Sequence, residues 1–433
     1  MNTRILLSLV LGLSTSQLLA PHFVIAQTTA TTPSSDSANW FQFRGPQGDG
    51  TAPGQHPPTS WSEAENVRWK TPIHGRGWSS PVVLGDEVWL TTATTDGNKM
   101  YAVCVDLESG QIKHDKLLFE NTEVQKDHHE TNTYASPTPV LDEQFVFIHF
   151  GSYGTACLRR DNCDVVWQRR DLPCNHFRGA GSSPILYKNL LIFHQDGFDF
   201  QYVVALDRKT GNTVWKADRD IAYGTDNGDV FKAFCTPLVI DVAGHKQLVS
   251  PTSKACLVLD PDTGKEIWRV RFEEFSATAR PLFDGKRLYL NTGFGKAQLY
   301  CVDADGTGDV TDSPKVIWTQ RKTIGSKPSQ ILVGGRLFSV TDDGIVARIS
   351  IATGEVVWQE RLGGKFSSSL VATDDHFFAF DHDGKGYVFT VADEPKKVSE
   401  NNLPDGCNAS PAIVNDSLII RTTTQLYRIA RPR

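Results

Sequence analysis

With 433 residues, 39% of them hydrophobic and 22% charged, the chain has the composition of a globular protein, long enough for one large repetitive domain or two to three ordinary ones. A formal net charge of -6 argues against nucleic acid as a partner, since phosphate binding needs a surplus of Lys and Arg. Gly (35) and Pro (22) punctuate many turns, which favours strands over helices.

Taken in order, residues 1–26 read as an export signal. Arg4 gives the positive start, "ILLSLVLGLSTSQLLA" (5–20) the apolar stretch, and "VIA" the small residues for cleavage after Ala26. Ser14, Thr15, Ser16 and Gln17 interrupt the apolar run before it reaches the roughly 20 residues of a membrane span. No Cys follows it to take a lipid, so the mature protein is expected in the periplasm or outside the cell. Removing residues 1–26 takes away Arg4 and no acid, which leaves a charge of -7. Residues 27–39 ("QTTATTPSSDSAN") read as a flexible linker. Residues 40–64 open with "WFQFRGPQGDG", whose Trp40, Phe41 and Phe43 call for cover from the domain that follows.

From residue 65 to 433 a unit recurs. A short apolar strand opened by small residues appears as "SSPVVLGDEVWLTTA" (79–93), "ASPTPVLDEQFVFIHF" (135–150), "GSSPILYKNLLIFHQDG" (181–197) and "CTPLVIDVAGHKQLVSPTS" (235–253). It returns as "ARPLFDGKRLYLNTG" (279–293), "PSQILVGGRLFSVTDDG" (328–344), "SSSLVATDDHFFAFDHDG" (367–384) and "ASPAIVNDSLIIRTTT" (409–424). Anchored at Pro81, Pro137, Pro184, Pro237, Pro281, Gln330, Leu370 and Pro411, the copies are separated by roughly 40 to 56 residues. Each holds two strands joined by a turn, a third such as "YVVALD" (202–207), and a turn such as "PDTG". A fourth strand then carries Trp167, Trp215, Trp268, Trp318 or Trp358. Four antiparallel strands per unit is one blade of a β-propeller. Only 22 residues follow Pro411, enough for three strands, while "NVRWK" (66–70) is a fourth strand without a lead-in. The expected fold is therefore all-β, an eight-bladed β-propeller of four-stranded antiparallel blades, with the N-terminal strand closing the last blade. Closure removes the unpaired sheet edges of an open ring.

The eight Cys divide in two groups. Cys104, Cys157 and Cys301 hold the place of Ala205 in "VALD" and read as small buried hydrophobes. Cys163, Cys174, Cys235, Cys256 and Cys407 stay as candidate bridge partners of an exported protein.

At "DRKTGNTVW" (207–215) and "DPDTGKEIW" (260–268) the chain resembles the quinoprotein-type propeller repeat of pyrroloquinoline-quinone (PQQ) alcohol dehydrogenases and of the outer-membrane assembly protein BamB. "FRGPQGDG", "GRGWSSPVV", "ASPTPV", "GTACL" and "WQERLGG" are similar to exported PQQ-binding-like propeller proteins of the planctomycete type, over residues 40–433. The resemblance implies PQQ and Ca²⁺ as candidate cofactors. The quinone enzymes place a vicinal Cys pair against the cofactor, and this sequence has no adjacent Cys pair.

Propeller ligands meet the loops of one face, and reading only those loops gives a polar set. Blades two and three contribute His128, His129, Glu130, Asn132, His176, Arg178, His194 and Asp196, with Asp199 beside them. Lys232, Arg280, Lys327 and Lys365 fall in equivalent places, as do Glu274, His382 and Asn408. Such a mixture suits a metal, an anionic sugar or a carboxylate. "DADGTGD" spaces Asp303, Asp305 and Asp309 so that hard oxygens could surround Ca²⁺, although a strand-joining turn also favours Asp and Gly. No G-x-S-x-G, phosphate loop, dinucleotide fingerprint or C-x-x-C occurs. The expectation is a non-catalytic binding or scaffold module holding a protein or polysaccharide at the propeller face. The alternative is a PQQ-dependent or metal-assisted oxidoreductase acting on an alcohol or sugar.

Overall fold

Eight antiparallel sheets succeed one another along the chain in the computed structural model, which describes Met1, residues 39–125 and residues 128–432. The expected export signal, Met1 apart, and the linker up to residue 38 lie outside the described residues. Five sheets are built from four consecutive strands each, the sheet Leu238–Arg271 also takes the short strand Gly308–Asp309 out of the next one, and the eighth joins Ala412–Val414, Ser417–Arg421 and Gln425–Ile429 to the strand Val67–Pro72. Lys70 sits opposite Tyr427 in that antiparallel pair, so the two ends of the chain share one blade and the ring is closed. Among the described residues one helical turn occurs, Gly228–Val230, and no helix is long and apolar enough to cross a membrane.

The repeat has a packing cause. Across the third and fourth strands Trp167 faces Cys157, Trp215 faces Ala205 and Trp318 faces Cys301, so the small residue leaves room for the indole. Cys104 faces His114 at the corresponding place of blade one. A bulge beside each of the three Trp pairs leaves Val166, Val214 and Ile317 unpaired, and all three are exposed. Each indole also reaches the next blade. Trp167 donates from Nε1 to the Arg208 carbonyl (3.0 Å), Trp215 to Pro261 (3.2 Å) and Trp318 to Ile351 (2.9 Å). Trp268 departs from this: it is fully buried, donates to Gln247 Oε1 (3.1 Å), and lies where Gly308–Asp309 adds a parallel fifth strand to blade four.

Around the axis, the residue before each innermost strand forms a ring. The N–H of Ser80 donates to Thr138 Oγ1 (2.9 Å), that of Thr138 to Ser183 Oγ (2.9 Å), and that of Ser183 to Thr236 Oγ1 (3.0 Å). Blade five places Arg280 here, and the pattern resumes through Ser329 (3.0 Å), Ser369 (3.1 Å) and Ser410 (2.9 Å). This corrects one repeat anchor. Thr138 precedes Pro139, so Pro139 and not Pro137 is the counterpart of Pro81.

Residues 40–52 touch the innermost strands of blades on opposite sides of the ring and therefore lie in the axial channel. Trp40 bridges to Val83, the Phe41 carbonyl accepts from Leu141 N (2.8 Å), and Ala52 N donates to the Ala372 carbonyl (2.8 Å). Two fully buried guanidinium groups lock the segment. Arg44 donates to the carbonyls of Leu370 (3.0 Å) and Gln330 (2.7 Å), and Arg280 to those of Pro237 (3.1 Å) and Phe43. Gly48, at φ 71°, lies so close that a Cβ there would stand 2.4 Å from the Arg280 guanidinium carbon. The "PQGDG" glycines thus answer to the arginines.

All eight Cys are buried free thiols, which corrects the expectation of bridges among Cys163, Cys174, Cys235, Cys256 and Cys407. Burial raises the Cys174 thiol well above its ordinary range and pushes Cys163 up to about 11.

Candidate functional site

Connections between successive blades and between the second and third strands of blades five and six converge above Phe43 to line a cavity of about 620 Å³. Its floor is the hydroxyl ring, which contributes Ser80, Thr138, Ser183, Thr236, Ser329, Ser369 and Ser410. Its walls carry the aromatic faces of Trp78, Phe234, Phe275 and Phe294, with Phe294 60% exposed.

Charge enters as one group of three and one pair. Lys232 is buried, donates to the Asp229 carboxylate and carbonyl, and stands over the rings of Phe177, Phe234 and Phe275 at 5.9, 6.0 and 5.7 Å. Burial lowers the pKa of its ammonium, and Asp229 opposes that shift. Arg178 Nε lies 3.9 Å from the same Asp229 carboxylate and stacks over Phe177 at 4.5 Å. Phe177 and Arg178 both hold positive φ (40° and 94°), a strained pair in the wall. On the far side Lys327 Nζ faces Asp342 Oδ1 at 3.4 Å.

Of the residues expected from the sequence, His129, Asn132, Arg178, Lys232 and Lys327 are brought to this cavity, with Asn408. Asn132 acts within the wall: its amide donates to the carbonyls of Arg178 (2.9 Å) and Ala180 (3.2 Å). His128 packs at a tilt against Tyr134 (4.6 Å between ring centres) and lines a neighbouring cavity of about 410 Å³ that also borders Arg178. Burial lowers the pKa of the His128 imidazole, with Arg76 adding to the effect. Glu130 and Lys365 are exposed and line neither cavity.

Four expected ligand residues are instead inside the protein. His176 is buried and accepts the N–H of Ser152 on Nε2 (2.8 Å), which leaves its Nδ1 toward Cys174 Sγ (3.6 Å). Burial brings its pKa down to about 4. His194 and Asp196 lie on the strand Leu190–Asp196, not in a loop, and every residue of that strand is buried. Arg219 grips Asp196 through Nε (3.0 Å) and Nη2 (2.7 Å) and donates from Nη1 to Ser250 Oγ (2.6 Å). Ser250 Oγ in turn meets His194 Nε2 (2.9 Å). Arg280 is turned toward the axial segment, as described above.

The three aspartates of "DADGTGD" do not assemble either. Asp305 pairs with Lys315 (2.6 Å), Asp309 with Arg271 (2.5 Å), and Asp303 faces Arg287 (3.8 Å). Each carboxylate has a different cation, and among the described residues no group of three His, Cys, Asp or Glu side chains is placed to hold a metal ion. The site the sequence reading missed is the ring and its aromatic walls. One signal was available: a Ser or Thr ahead of the innermost strand in seven of the eight repeats, read only as small residues opening a strand.

The fold has known counterparts. A europium-containing methanol dehydrogenase superposes with a TM-score of 0.68 at 12% identity, over 90% of this chain and 90% of that one. A quinohemoprotein alcohol dehydrogenase from Comamonas testosteroni gives 0.65 at 10% identity, over 92% and 81%. BamB from Moraxella catarrhalis gives 0.59 at 13% identity, over 84% and 99%. No curated protein sequence matches the chain. The family model described as outer membrane protein assembly factor BamB matches residues 199–311 and 307–426, more than half of the length. On that match the chain belongs to this family of PQQ-like β-propellers.

Proposed function

We propose that the protein is an exported, non-catalytic binding module that holds its ligand in the funnel above Phe43. The observation that carries this reading is the fate of the acid–base and metal-binding candidates. His176, His194 and Asp196 are committed to partners inside the wall, and the cavity is lined by hydroxyls, aromatic rings, paired charges and one imidazole, His129, whose Nδ1 meets Thr131 Oγ1 (2.8 Å). A site built that way binds by shape and by many weak polar contacts.

The lining does not fit pyrroloquinoline quinone. A planar tricarboxylate with a metal ion would ask for uncommitted cations and a cluster of metal-binding side chains. Arg178 and Lys232 already share Asp229, Lys327 faces Asp342, and the eight thiols are separate and buried. The reading thus follows the assembly-factor relatives in function and the dehydrogenases only in fold.

The test has two parts. The purified protein, loaded with PQQ and Ca²⁺, is assayed for dye-linked oxidation of simple alcohols and aldoses, and no turnover is expected. Photo-cross-linking residues are then placed at Phe294, inside the mouth, and at Val214, on an outer strand. Adducts in the producing cells at position 294 but not 214 support the reading. Quinone-dependent turnover, abolished by Lys232→Ala, would overturn it.

A further inference from the structure

The hydroxyl ring has a property that a mere structural girdle does not need. Thr138, Ser183, Thr236 and Ser410 each receive a backbone N–H from the preceding blade on the side-chain oxygen. That bond occupies a lone pair and fixes the oxygen, while the hydroxyl hydrogen finds no acceptor among the described residues. Ser80 keeps both roles open: only its backbone N–H is engaged. These residues are 2–6% exposed, yet all five line the cavity. In four of the five the acceptor side is filled and the donor side is not, so unused donors converge at the cavity floor and offer a place for an acceptor.

Beneath the floor lie the guanidinium groups of Arg44 and Arg280, fully buried and bonded chiefly to neutral carbonyls. Asp49 is the acid acting on both, one carboxylate for two cations. In a low-dielectric interior such charge raises the potential of the nearby cavity even without direct contact. The cavity wall sets Arg178, Lys232 and Lys327 against Asp229 and Asp342, three cations to two carboxylates. On the opposite scale of polarity, Trp78, Phe275 and Phe294 supply flat apolar faces within the same cavity. Hydroxyl donors and a positive floor select an oxyanion, and aromatic faces select a ring that presents a face of C–H groups. One ligand class unites these requirements.

Resting on the binding-module reading, we propose that the funnel takes an anionic sugar, with its carboxylate or sulfate seated on the hydroxyl ring and its pyranose ring against Trp78, Phe275 and Phe294. The orientation follows from where the donors are: the charged group points down the axis, and the rest of the chain leaves through the mouth beside Phe294.

The experiment is calorimetric titration of the full mature protein with three probes: an oligogalacturonate, a sulfated galactan oligosaccharide and neutral maltohexaose. Saturable binding of at least one acidic probe, about tenfold or more tighter than maltohexaose, is expected. The acidic probe that binds tells carboxylate from sulfate. Ser80→Ala removes a ring donor without disturbing the hydrogen-bond ladder, and it is expected to weaken the acidic probe roughly tenfold. Phe294→Ala should weaken it as well, with the fold unchanged by circular dichroism. Equal affinity for neutral and acidic sugars, or indifference to Ser80→Ala, overturns the proposal. An oligoglutamate that competes as well as the acidic sugar overturns it in favour of an acidic peptide. Absence of all sugar binding alongside cross-links at position 294 would remove this inference and leave the binding-module reading standing. Quinone-dependent turnover would remove both.

Discussion

The indole of Trp215 lies against the Cα of Gly264 across the boundary between blades three and four. A Cβ at position 264 would stand 2.5 Å from the ring, and Nε1 of the same indole donates to Pro261 (3.2 Å). The same relation joins Trp167 to Gly211 and Trp318 to Gly354, so neighbouring blades are coupled through one aromatic side chain each. Gly264→Ala is expected to destabilise by about 2–4 kcal/mol, combining overpacking with the left-handed backbone at φ 72°. Gly285→Ala shares the positive φ but meets nothing within 4 Å, and should cost about 1 kcal/mol. Urea denaturation of the two variants measures the difference, and equal losses would refute steric coupling through the indole.

Much of the blade architecture was legible because each Trp imposes two needs at fixed spacing: a small residue across the strand pair and a glycine turn one blade on. Cys157 and Gly211 around Trp167 are visible in sequence for that reason. The site was less legible. "HQDG" (194–197) reads as a loop, yet the strand continues to Asp196 because Arg219 neutralises the acid inside the sheet. No local pattern announces a charge partner more than 20 residues away. Phe234, Phe275 and Phe294 come from separate connections, so only the closed ring brings them to one cavity. Trp268 shows a variation on the repeat: Gly306 still lies against its indole, while the longer turn in blade five adds a parallel strand beside it.

The thiols give a direct check on packing. All eight are buried and free, and Cys157 is pushed up to about 12 by burial. Native protein is expected to react with negligible Ellman's reagent, and denatured protein with eight equivalents per chain. Reductant should leave the melting temperature unchanged. A disulfide found by non-reducing peptide mapping, or several fast-reacting thiols, would contradict the arrangement.

The axial segment is expected to depend on its arginines. At Gly48 a side chain would collide with the Arg280 guanidinium, whereas Gly54, at φ 72°, has open space around it. Gly48→Ala should therefore cost about 1–3 kcal/mol more than Gly54→Ala. It should also render residues 40–60 sensitive to limited proteolysis, as loss of the guanidinium in Arg280→Met should. Equal protease resistance of all three variants would show that the segment is held by other contacts.

Acid should unfold the protein earlier than its carboxylates alone would require. His176 is fully buried, with its pKa lowered from 6.5 to about 4 by desolvation, and its Nε2 already accepts the Ser152 N–H. Protonation would add a hydrogen where a donor already points. Because the folded pKa lies below the unfolded one, the unfolded chain binds the proton first. Stability is therefore complete above about pH 6.5 and declines as pH falls toward about 4, by up to about 3 kcal/mol for this group. His149, brought down to about 3 beside it, acts in the same direction and extends the loss to lower pH. Chemical denaturation between pH 7 and 4.5 should show this slope, mostly above the range where Asp and Glu titrate. His176→Gln keeps an acceptor for Ser152 and removes the titration, so it should be less stable at pH 7 and yet show a shallower decline with acid. An unchanged slope in that variant would place the acid sensitivity elsewhere.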